Sequence, residues 1–180
     1  MNYERQIKQW LQSDEVRFNA LKAAASLELK DWCLAAGFVR NLVWDKLHEN
    51  QHGTPLNDID LIYFDKNNDT SVDKKIEKTL KTKYLQPWSV KNQARMHLRN
   101  NDSPYSSTSD AMSYWVEIET AIGVRLHRDQ TLEVIAPFGC EALFNYSITI
   151  NDKRRKPKAF GARVRDKAWL ENWPKLVVNY

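Results

Sequence analysis

The hydrophobic pattern divides the first part of the chain into alternating helices and strands. In residues 1–30 the apolar positions repeat at helical spacing, which predicts an N-terminal pair of helices. The apolar run 32–36 ends at Gly37 and is typical of a buried strand. Helical spacing returns over residues 39–47, so we predict a helix that begins just after the glycine. Residues 59–64 are rich in β-branched and aromatic side chains and predict a second buried strand.

The pattern continues with a lysine-rich helix and further strands. Apolar positions at helical spacing over residues 72–80 predict that helix, and the strict alternation over 88–97 predicts a third strand with one polar face. Residues 120–126 and 131–136 predict a hairpin, and a last helix is expected over 160–169. We therefore predict an α+β fold with an α/β-like core, in which helices pack on a small mixed sheet.

The domain organisation follows from length and uniformity. The chain has 180 residues, a length typical of one domain, and it contains neither an internal repeat nor a long low-complexity linker. We predict a single domain over residues 1–180. It would consist of the N-terminal helices (1–30), a motif-bearing core (31–97), and additional strands with a C-terminal helix (98–180).

Composition narrows the class of protein. Hydrophobic residues make up 42% and charged residues 28%, which is an ordinary globular balance. No apolar run approaches the roughly 20 residues that a membrane span needs, so no membrane association is expected. The net charge of +4 tolerates an acidic partner such as a nucleotide but does not require one. The two cysteines suit a reducing compartment, and no apolar signal region follows the N-terminus, so we expect a cytoplasmic protein.

The candidate chemistry lies where the second strand begins. Asp58 and Asp60 alternate along the strand and therefore project from the same face, about 7 Å apart. Two carboxylates this close repel each other and raise each other's pKa unless a cation lies between them. Magnesium, which prefers one or two carboxylates with substrate phosphates and water, would resolve this repulsion, and manganese is the other candidate ion.

Candidate phosphate contacts precede the aspartates. Gly37 lets a phosphate approach the backbone, and the N–H groups at the start of the following helix would point toward it. Arg40, in the first turn, adds a planar fork that suits phosphate oxygens. A metal site together with a triphosphate cradle predicts phosphoryl or nucleotidyl transfer.

These residues carry a family resemblance. Gly37-Phe38-Val39-Arg40-Asn41, a helix, and Asp58-Ile59-Asp60 resemble the glycine–helix–DxD signature of the polymerase-beta-type nucleotidyltransferase superfamily. The Gly-x-Val-Arg segment is similar to the poly(A) polymerase and tRNA CCA-adding branch. Five stretches resemble more closely an uncharacterised family of bacterial nucleotidyltransferase-like proteins, and these are 35–41, 57–65, 90–97, 120–125 and 173–176.

The resemblance implies an activity and roles for the matching residues. A member of this superfamily transfers a nucleoside monophosphate from an NTP to an acceptor with a divalent metal. Asp58 and Asp60 would then be the catalytic metal ligands, and Gly37, Arg40 and Asn41 would bind the nucleotide. The acceptor, whether RNA, protein or a small molecule, is left open.

The chain departs from the superfamily pattern at three places. The phosphate turn has Ala36-Gly37 where Gly-Gly or Gly-Ser is usual, and Arg40-Asn41 stands where the poly(A)-type motif has Arg-Asp. Active members place a third carboxylate on the next core strand, but residues 88–97 contain no Asp or Glu. Glu117 and Glu119 are the nearest candidates, and we take Glu117 as the candidate third metal ligand.

The predicted third strand supplies further candidates. Lys91 and Arg95, on its polar face, would line a groove for the triphosphate or the acceptor. Asn92, on the apolar face, needs a hydrogen-bond partner if it is buried and could organise a loop instead.

Three functions stay open at this point. The leading one is a metal-dependent nucleotidyltransferase. The second is a catalytically inactive module that keeps the fold to bind a nucleotide or nucleic acid, which the missing carboxylate motivates. The third is an interaction protein, such as an antitoxin-like partner, in which the aspartates have no role. The basic run 153–158 could contact nucleic acid, but such a run is usually a solvated loop.

Overall fold

The computed structural model of the protein describes residues 2–180. Its helices are α1 Tyr3–Ser13, α2 Glu15–Ala25, α3 Gly37–Leu47, α4 Thr70–Tyr84, α5 Met96–Asn100, α6 Thr108–Met112, α7 Glu141–Phe144, α8 Pro157–Asp166 and α9 Trp169–Asn172. Its strands are β1 Cys33–Ala35, β2 Ile59–Tyr63, β3 Trp88–Asn92, β4 Gly123–Leu126, β5 Leu132–Ile135, β6 Ser147–Thr149 and β7 Val177–Asn179.

Five of the strands form one mixed sheet in the order β3-β2-β1-β4-β5. β2 and β3 run parallel and are joined by α4, whereas the other neighbouring pairs are antiparallel. β1 is fully buried at the centre of the sheet, which explains its uninterrupted apolar sequence. The prediction of an α+β fold with helices on a small mixed sheet is confirmed, as are the helix after Gly37 and the β4–β5 hairpin.

The third strand is shorter than its alternating sequence predicts. β3 ends at Asn92, and a 3₁₀ turn at Gln93–Arg95 leads directly into α5. The Asn92 side chain causes the turn, because its Oδ1 accepts from the Ala94 N–H at 3.0 Å and its Nδ2 donates to the Asp65 carbonyl at 2.6 Å. The prediction of a strand as far as residue 97 is therefore wrong from residue 93 onward.

The C-terminal part contains the predicted last helix as α8 and adds elements that the hydrophobic pattern does not predict, namely α9 and a second, small sheet. β6 and β7 pair as a separate two-stranded parallel sheet. Trp44 of α3 packs edge-on against Trp169 and Trp173, with ring centroids 5.9 and 5.1 Å away. This second apolar cluster places α8 and α9 beside α3. Within residues 2–180, no helix is both long and apolar enough to cross a membrane.

Candidate active site

The two aspartates lie at the start of β2, on the inner strands of the sheet. Asp60 is opposite Ala35 of β1 and Ser89 of β3, and Asp58 immediately precedes the strand. Burial, followed by the charge of Asp58, raises the pKa of Asp60 to about 6. Burial also raises the pKa of Asp58. The raised pKa values mean that ionising these two carboxylates costs free energy in the folded protein, and a bound cation would lower that cost.

A cavity of 670 Å³ opens beside this pair and contains most of the predicted site. Five predicted residues line it together: Gly37, Arg40, Asn41, Asp58 and Asp60. The remaining walls come from the loop before β2, from α5 and from the C-terminal helices. They are formed by Ala36, Thr54, Pro55, Leu56, Asn57, Met96, Arg99, Arg163, Lys167, Trp169, Asn172 and Trp173.

The turn between β1 and α3 presents backbone to this cavity. Ala36 adopts φ 57° and ψ −125°, a conformation that side chains disfavour, and its N–H donates to the Ile122 carbonyl at 2.8 Å. None of the side chains in residues 2–180 caps the helix that follows. The N–H groups of Gly37 and Phe38 are therefore free to bind an anion, whereas those of Val39 and Arg40 donate to the Ala36 carbonyl. The helix dipole favours negative charge at this end of α3.

Gly37 has a different reason to be glycine. Its φ is ordinary, but an added Cβ would lie 3.4 Å from the Asn41 side-chain amide and 3.5 Å from Arg40 Nη2. A side chain there would therefore enter the space between the groups that line the cavity. Glycine keeps this approach to the backbone open.

Arg40 is buried and rigidly held. Its Nη1 donates to Thr120 Oγ1 at 2.7 Å and its Nη2 to Asn41 Oδ1 at 2.9 Å. The guanidinium also lies over the rings of Trp44 and Trp169, 5.0 and 4.6 Å from their centroids. Burial lowers the pKa of Arg40 to about 10, and the Glu117 carboxylate opposes that change. At neutral pH Arg40 is therefore a fixed positive charge in the wall of the cavity.

The other two predicted cations lie elsewhere. Lys91 faces a second, smaller cavity on the other side of Asp60. Arg95 forms an ion pair with Asp73 at 2.7 Å and donates to the Asn68 carbonyl. The turn at Asn92 carries Arg95 away from the aspartates, and neither cation lines the larger cavity.

Glu117 and Glu119 do not share the face of a strand, because residues 113–122 form turns with one isolated bridge at Glu117. Glu119 accepts from Ser147 Oγ and from the Thr149 N–H, both at 2.8 Å, and thereby anchors β6. Glu117 is fully buried and accepts from Arg163 Nε at 2.6 Å. Within residues 2–180, no three Asp, Glu, His or Cys side chains converge as a metal site. Glu117 as a third metal ligand stays a prediction.

Sequence reasoning missed the C-terminal contribution to the site. Arg163 of α8 and Lys167, the residue directly after α8, line the cavity. The positive charge of Lys167 opposes the rise in the pKa of both aspartates. Their spacing of four residues places them on one helical face, but only the fold brings that face to Asp60.

Asp45 is a second residue that the sequence did not single out. Its buried carboxylate accepts from the Thr54 N–H at 2.7 Å and from Thr54 Oγ1 at 2.6 Å. It also accepts from Asn50 Nδ2 at 3.0 Å and from Trp173 Nε1 at 2.9 Å. Asp45 thus joins the loop before β2 to the C-terminal part, and both form walls of the cavity.

Comparison with known proteins identifies the family. A family model described as nucleotidyltransferase matches residues 22–178. A solved structure described as a CCA-adding enzyme head domain is 30% identical, with a TM-score of 0.86, over 98% of this chain and 96% of that one. No curated protein matches.

More distant structures share the fold only. A CCA-adding enzyme solved with CTP is 11% identical, with a TM-score of 0.53, over 94% of this chain and 47% of that one. A tRNA-processing enzyme complex is 11% identical, with a TM-score of 0.54, over 88% of this chain and 42% of that one. The chain thus spans less than half of these two enzymes.

The chain belongs to the nucleotidyltransferase family, and its fold is that of a CCA-adding enzyme head domain. The resemblance noted in the sequence is confirmed.

Proposed function

We propose that this protein is a divalent-metal-dependent nucleotidyltransferase that transfers a nucleoside monophosphate from an NTP to an acceptor hydroxyl. One observation carries the proposal. The carboxylates of Asp58 and Asp60, the uncapped start of α3 and the buried guanidinium of Arg40 line the same 670 Å³ cavity. The family and fold support transfer from an NTP in general.

The triphosphate would bind on the α3 side of this cavity. The N–H groups around Gly37 would donate to its oxygens, while Arg40 and Lys167 would supply positive charge. Asn41 accepts from Arg40 and so holds the guanidinium in place. The aromatic rings around Arg40 exclude water, which strengthens each of these interactions.

The residues present fit a divalent cation. Asp58 and Asp60 offer hard carboxylate oxygens, and burial, which raises the pKa of both, penalises their charge as long as no cation compensates it. We assign Mg²⁺ or Mn²⁺ to this pair. When bound, such an ion neutralises phosphate charge and activates the acceptor oxygen.

The reaction makes one bond and breaks one. The acceptor hydroxyl oxygen bonds to the α-phosphorus, the bond from that phosphorus to the β-phosphate oxygen breaks, and pyrophosphate leaves with the electron pair. The hydroxyl proton passes to a basic group or to water. The protein's own part is to hold the triphosphate at the start of α3 and to hold Asp58 and Asp60 beside its α-phosphate.

Calorimetric titration with each NTP, in Mg²⁺ and in EDTA, tests the proposal. We expect micromolar binding that requires the metal and disappears in the variant Asp58→Asn/Asp60→Asn. Asp129→Asn, a change of the same kind in the remote β4–β5 turn, is the control and should bind as the wild type does. Circular dichroism establishes that every variant is folded.

Two results would contradict the proposal. Binding that persists in EDTA and in the double variant would indicate an inactive nucleotide-binding module. If none of the NTPs binds although all proteins are folded, the function of this protein does not involve an NTP.

A further inference from the structure

The second cavity meets the first at Asp60. It has a volume of 350 Å³ and shares four wall residues with the larger cavity: Ala36, Asp60, Met96 and Arg163. The other residues that line it come from β2, β3, α5, the turns before β4 and the segment leading into α8. They are Ile62, Lys91, Gln93, Asn100, Tyr114, Trp115, Val116, Glu117, Thr120, Arg154, Lys156 and Ala159. A molecule in this cavity would therefore lie beside Asp60, which we propose as a metal ligand.

Glu117 carries an oxygen that lacks a partner. Its Oε1 accepts from Arg163, whereas its Oε2 is fully buried and has no hydrogen-bond donor among residues 2–180. An unsatisfied carboxylate oxygen in such a position costs about 1–3 kcal/mol or more. Because Glu117 lines the cavity, a ligand hydroxyl there would supply the missing donor.

Two lysines add positive charge to the same cavity. Lys91 is half-exposed, and its nearest carboxylate oxygen, on Glu77, is 4.0 Å away. Lys156 forms neither an ion pair nor a side-chain hydrogen bond within the described residues. The two arginines in the wall are already engaged, Arg163 by Glu117 and Arg154 by Asp102 and the Asn100 carbonyl. The lysines therefore favour a ligand that carries an anionic group.

Hydrogen bonds and an ion pair hold the walls of this cavity in place. Asn151 Nδ2 donates to the carbonyls of Ser113 and Trp115 at 2.8 and 2.7 Å, which fixes the turn that carries Glu117. The ion pair between Arg154 and Asp102 joins the segment before α8 to the segment after α5. A volume of 350 Å³ lies at the lower end of the range for small-molecule sites. These walls suit a small molecule better than a polymer.

We propose that this second cavity is the acceptor site, and that the acceptor is a small phosphorylated molecule with a free hydroxyl, of the size of a sugar phosphate. The inference rests on the function proposed above. Lys91 and Lys156 bind the phosphate, and Glu117 Oε2 accepts a hydrogen bond from the hydroxyl. As the hydroxyl oxygen bonds to the α-phosphorus of the NTP, pyrophosphate leaves with the electron pair and the hydroxyl proton passes to a basic group or to water.

Calorimetry with ribose 5-phosphate, glycerol 3-phosphate and inorganic phosphate, with no NTP present, tests the site directly. We expect the two hydroxyl compounds to bind more tightly than inorganic phosphate. Lys156→Ala should weaken them about tenfold, the equivalent of 1.4 kcal/mol. Lys158→Ala removes an exposed lysine two residues away that does not line the cavity, and it should leave binding unchanged.

Glu117→Gln separates the hydroxyl contact from the charge contact. It should abolish the preference for the hydroxyl compounds over inorganic phosphate while phosphate binding itself persists. A purely structural role of Glu117 would lower the affinity for all three probes equally. If Glu117→Gln does not fold, the Lys156→Ala and Lys158→Ala pair still decides the question.

Three outcomes would overturn the inference. These are no binding by any probe, binding that Lys156→Ala leaves intact, and binding only by a short RNA with a free 3′ hydroxyl, which would make the acceptor a polymer. The Mg²⁺–NTP titration of the wild type and Lys156→Ala distinguishes this failure from that of the proposed function. If the NTP binds but none of the acceptor probes does, the acceptor site is contradicted and the proposed function is not.

Discussion

The two halves of the candidate active site are built in different ways. The half with the phosphate turn and the aspartates comes from β1, α3 and β2, which follow one another within residues 33–63. The other half comes from α8 and α9, which begin only at Pro157, far later in the chain. The first half depends on local backbone geometry, whereas the second depends on tertiary contacts such as the hydrogen bond from Trp173 to Asp45.

This difference teaches which changes should damage which property. In the local half, a small change at the turn alters ligand binding while the fold stands. In the C-terminal half, the same apolar cluster supports both the fold and the wall of the cavity. Substitutions there should therefore affect stability and binding together.

Asp45→Ala should have the largest effect, because it breaks the contact between the two halves. Four hydrogen bonds to a buried carboxylate are lost, and the Trp173 indole and the Thr54 N–H lose their acceptor. We expect the free energy of unfolding to fall by about 3–4 kcal/mol, as measured by chemical denaturation.

Asp45→Asn is the matched variant for this change. It keeps one oxygen in place, so its loss of stability should be smaller than that of Asp45→Ala. If both variants were as stable as the wild type, the carboxylate would not join the two halves.

Asp60→Asn tests whether the Asp60 carboxylate, in the half formed by β1, α3 and β2, acts through its charge or through structural contacts. Because burial and Asp58 raise the pKa of Asp60, neutralising it removes an unfavourable charge from the folded protein. In EDTA we expect the variant to be more stable than the wild type, by about 1–2 kcal/mol. Added Mg²⁺ should raise the melting temperature of the wild type and leave that of the variant unchanged.

Asp129→Asn, in the remote hairpin turn, is the control and should respond to Mg²⁺ as the wild type does. A wild-type melting temperature that Mg²⁺ does not change would argue that the aspartates hold no cation. Lower stability of Asp60→Asn in EDTA would show that the carboxylate is structural.

The same contrast explains how much of the molecule its sequence predicts. Gly37, Asp58 and Asp60 are predictable because strand alternation and a helix start fix their relation over a short distance. The course of residues 93–100 is not predictable in this way. The buried side-chain amide of Asn92 ends the strand, although apolar and polar residues continue to alternate after it. The sequence therefore placed Arg95 on the polar face of the strand, whereas in the structure it follows the strand and pairs with Asp73.

The C-terminal wall lay beyond sequence reasoning for a different reason. Trp169 and Trp173 read as ordinary core residues, and nothing local indicates that they pack on Trp44 beside Arg40. Arg163 likewise belongs to a basic helix face whose partner, Glu117, is 46 residues away. Such pairings depend on the whole fold.

Gly37→Ala tests the phosphate turn by ligand binding. The added methyl group lies 3.4 Å from the Asn41 side chain, so it occupies cavity space without clashing with the core. We expect NTP affinity to fall about tenfold, or 1.4 kcal/mol. Stability should be unchanged or slightly higher, since alanine favours the helix.

Gly161→Ala, on α8, is the matched control for this change. Gly161 lines neither cavity, and its added methyl group would lie 3.2 Å from the hydroxyl of the exposed Tyr180, which has room to shift. The variant should therefore not weaken NTP binding. Unchanged NTP affinity in Gly37→Ala would mean that the triphosphate does not approach the start of α3.

Ala36→Gly should have the smallest effect, and it restores the glycine that the superfamily usually has in this turn. Ala36 lies at φ 57° and ψ −125°, where a Cβ costs about 1–3 kcal/mol. Glycine removes that strain but adds about 0.5–1 kcal/mol of backbone entropy to the unfolded chain. The net result should be a gain in stability of about 1 kcal/mol, measured by chemical denaturation, with NTP affinity held within twofold because the N–H groups of α3 keep their positions.

Ala35→Gly, in the adjacent strand, relieves no such strain and should destabilise the protein instead. If both variants lost stability equally, the turn would carry no strain. The alanine would then be as well suited to this phosphate turn as the glycine it replaces.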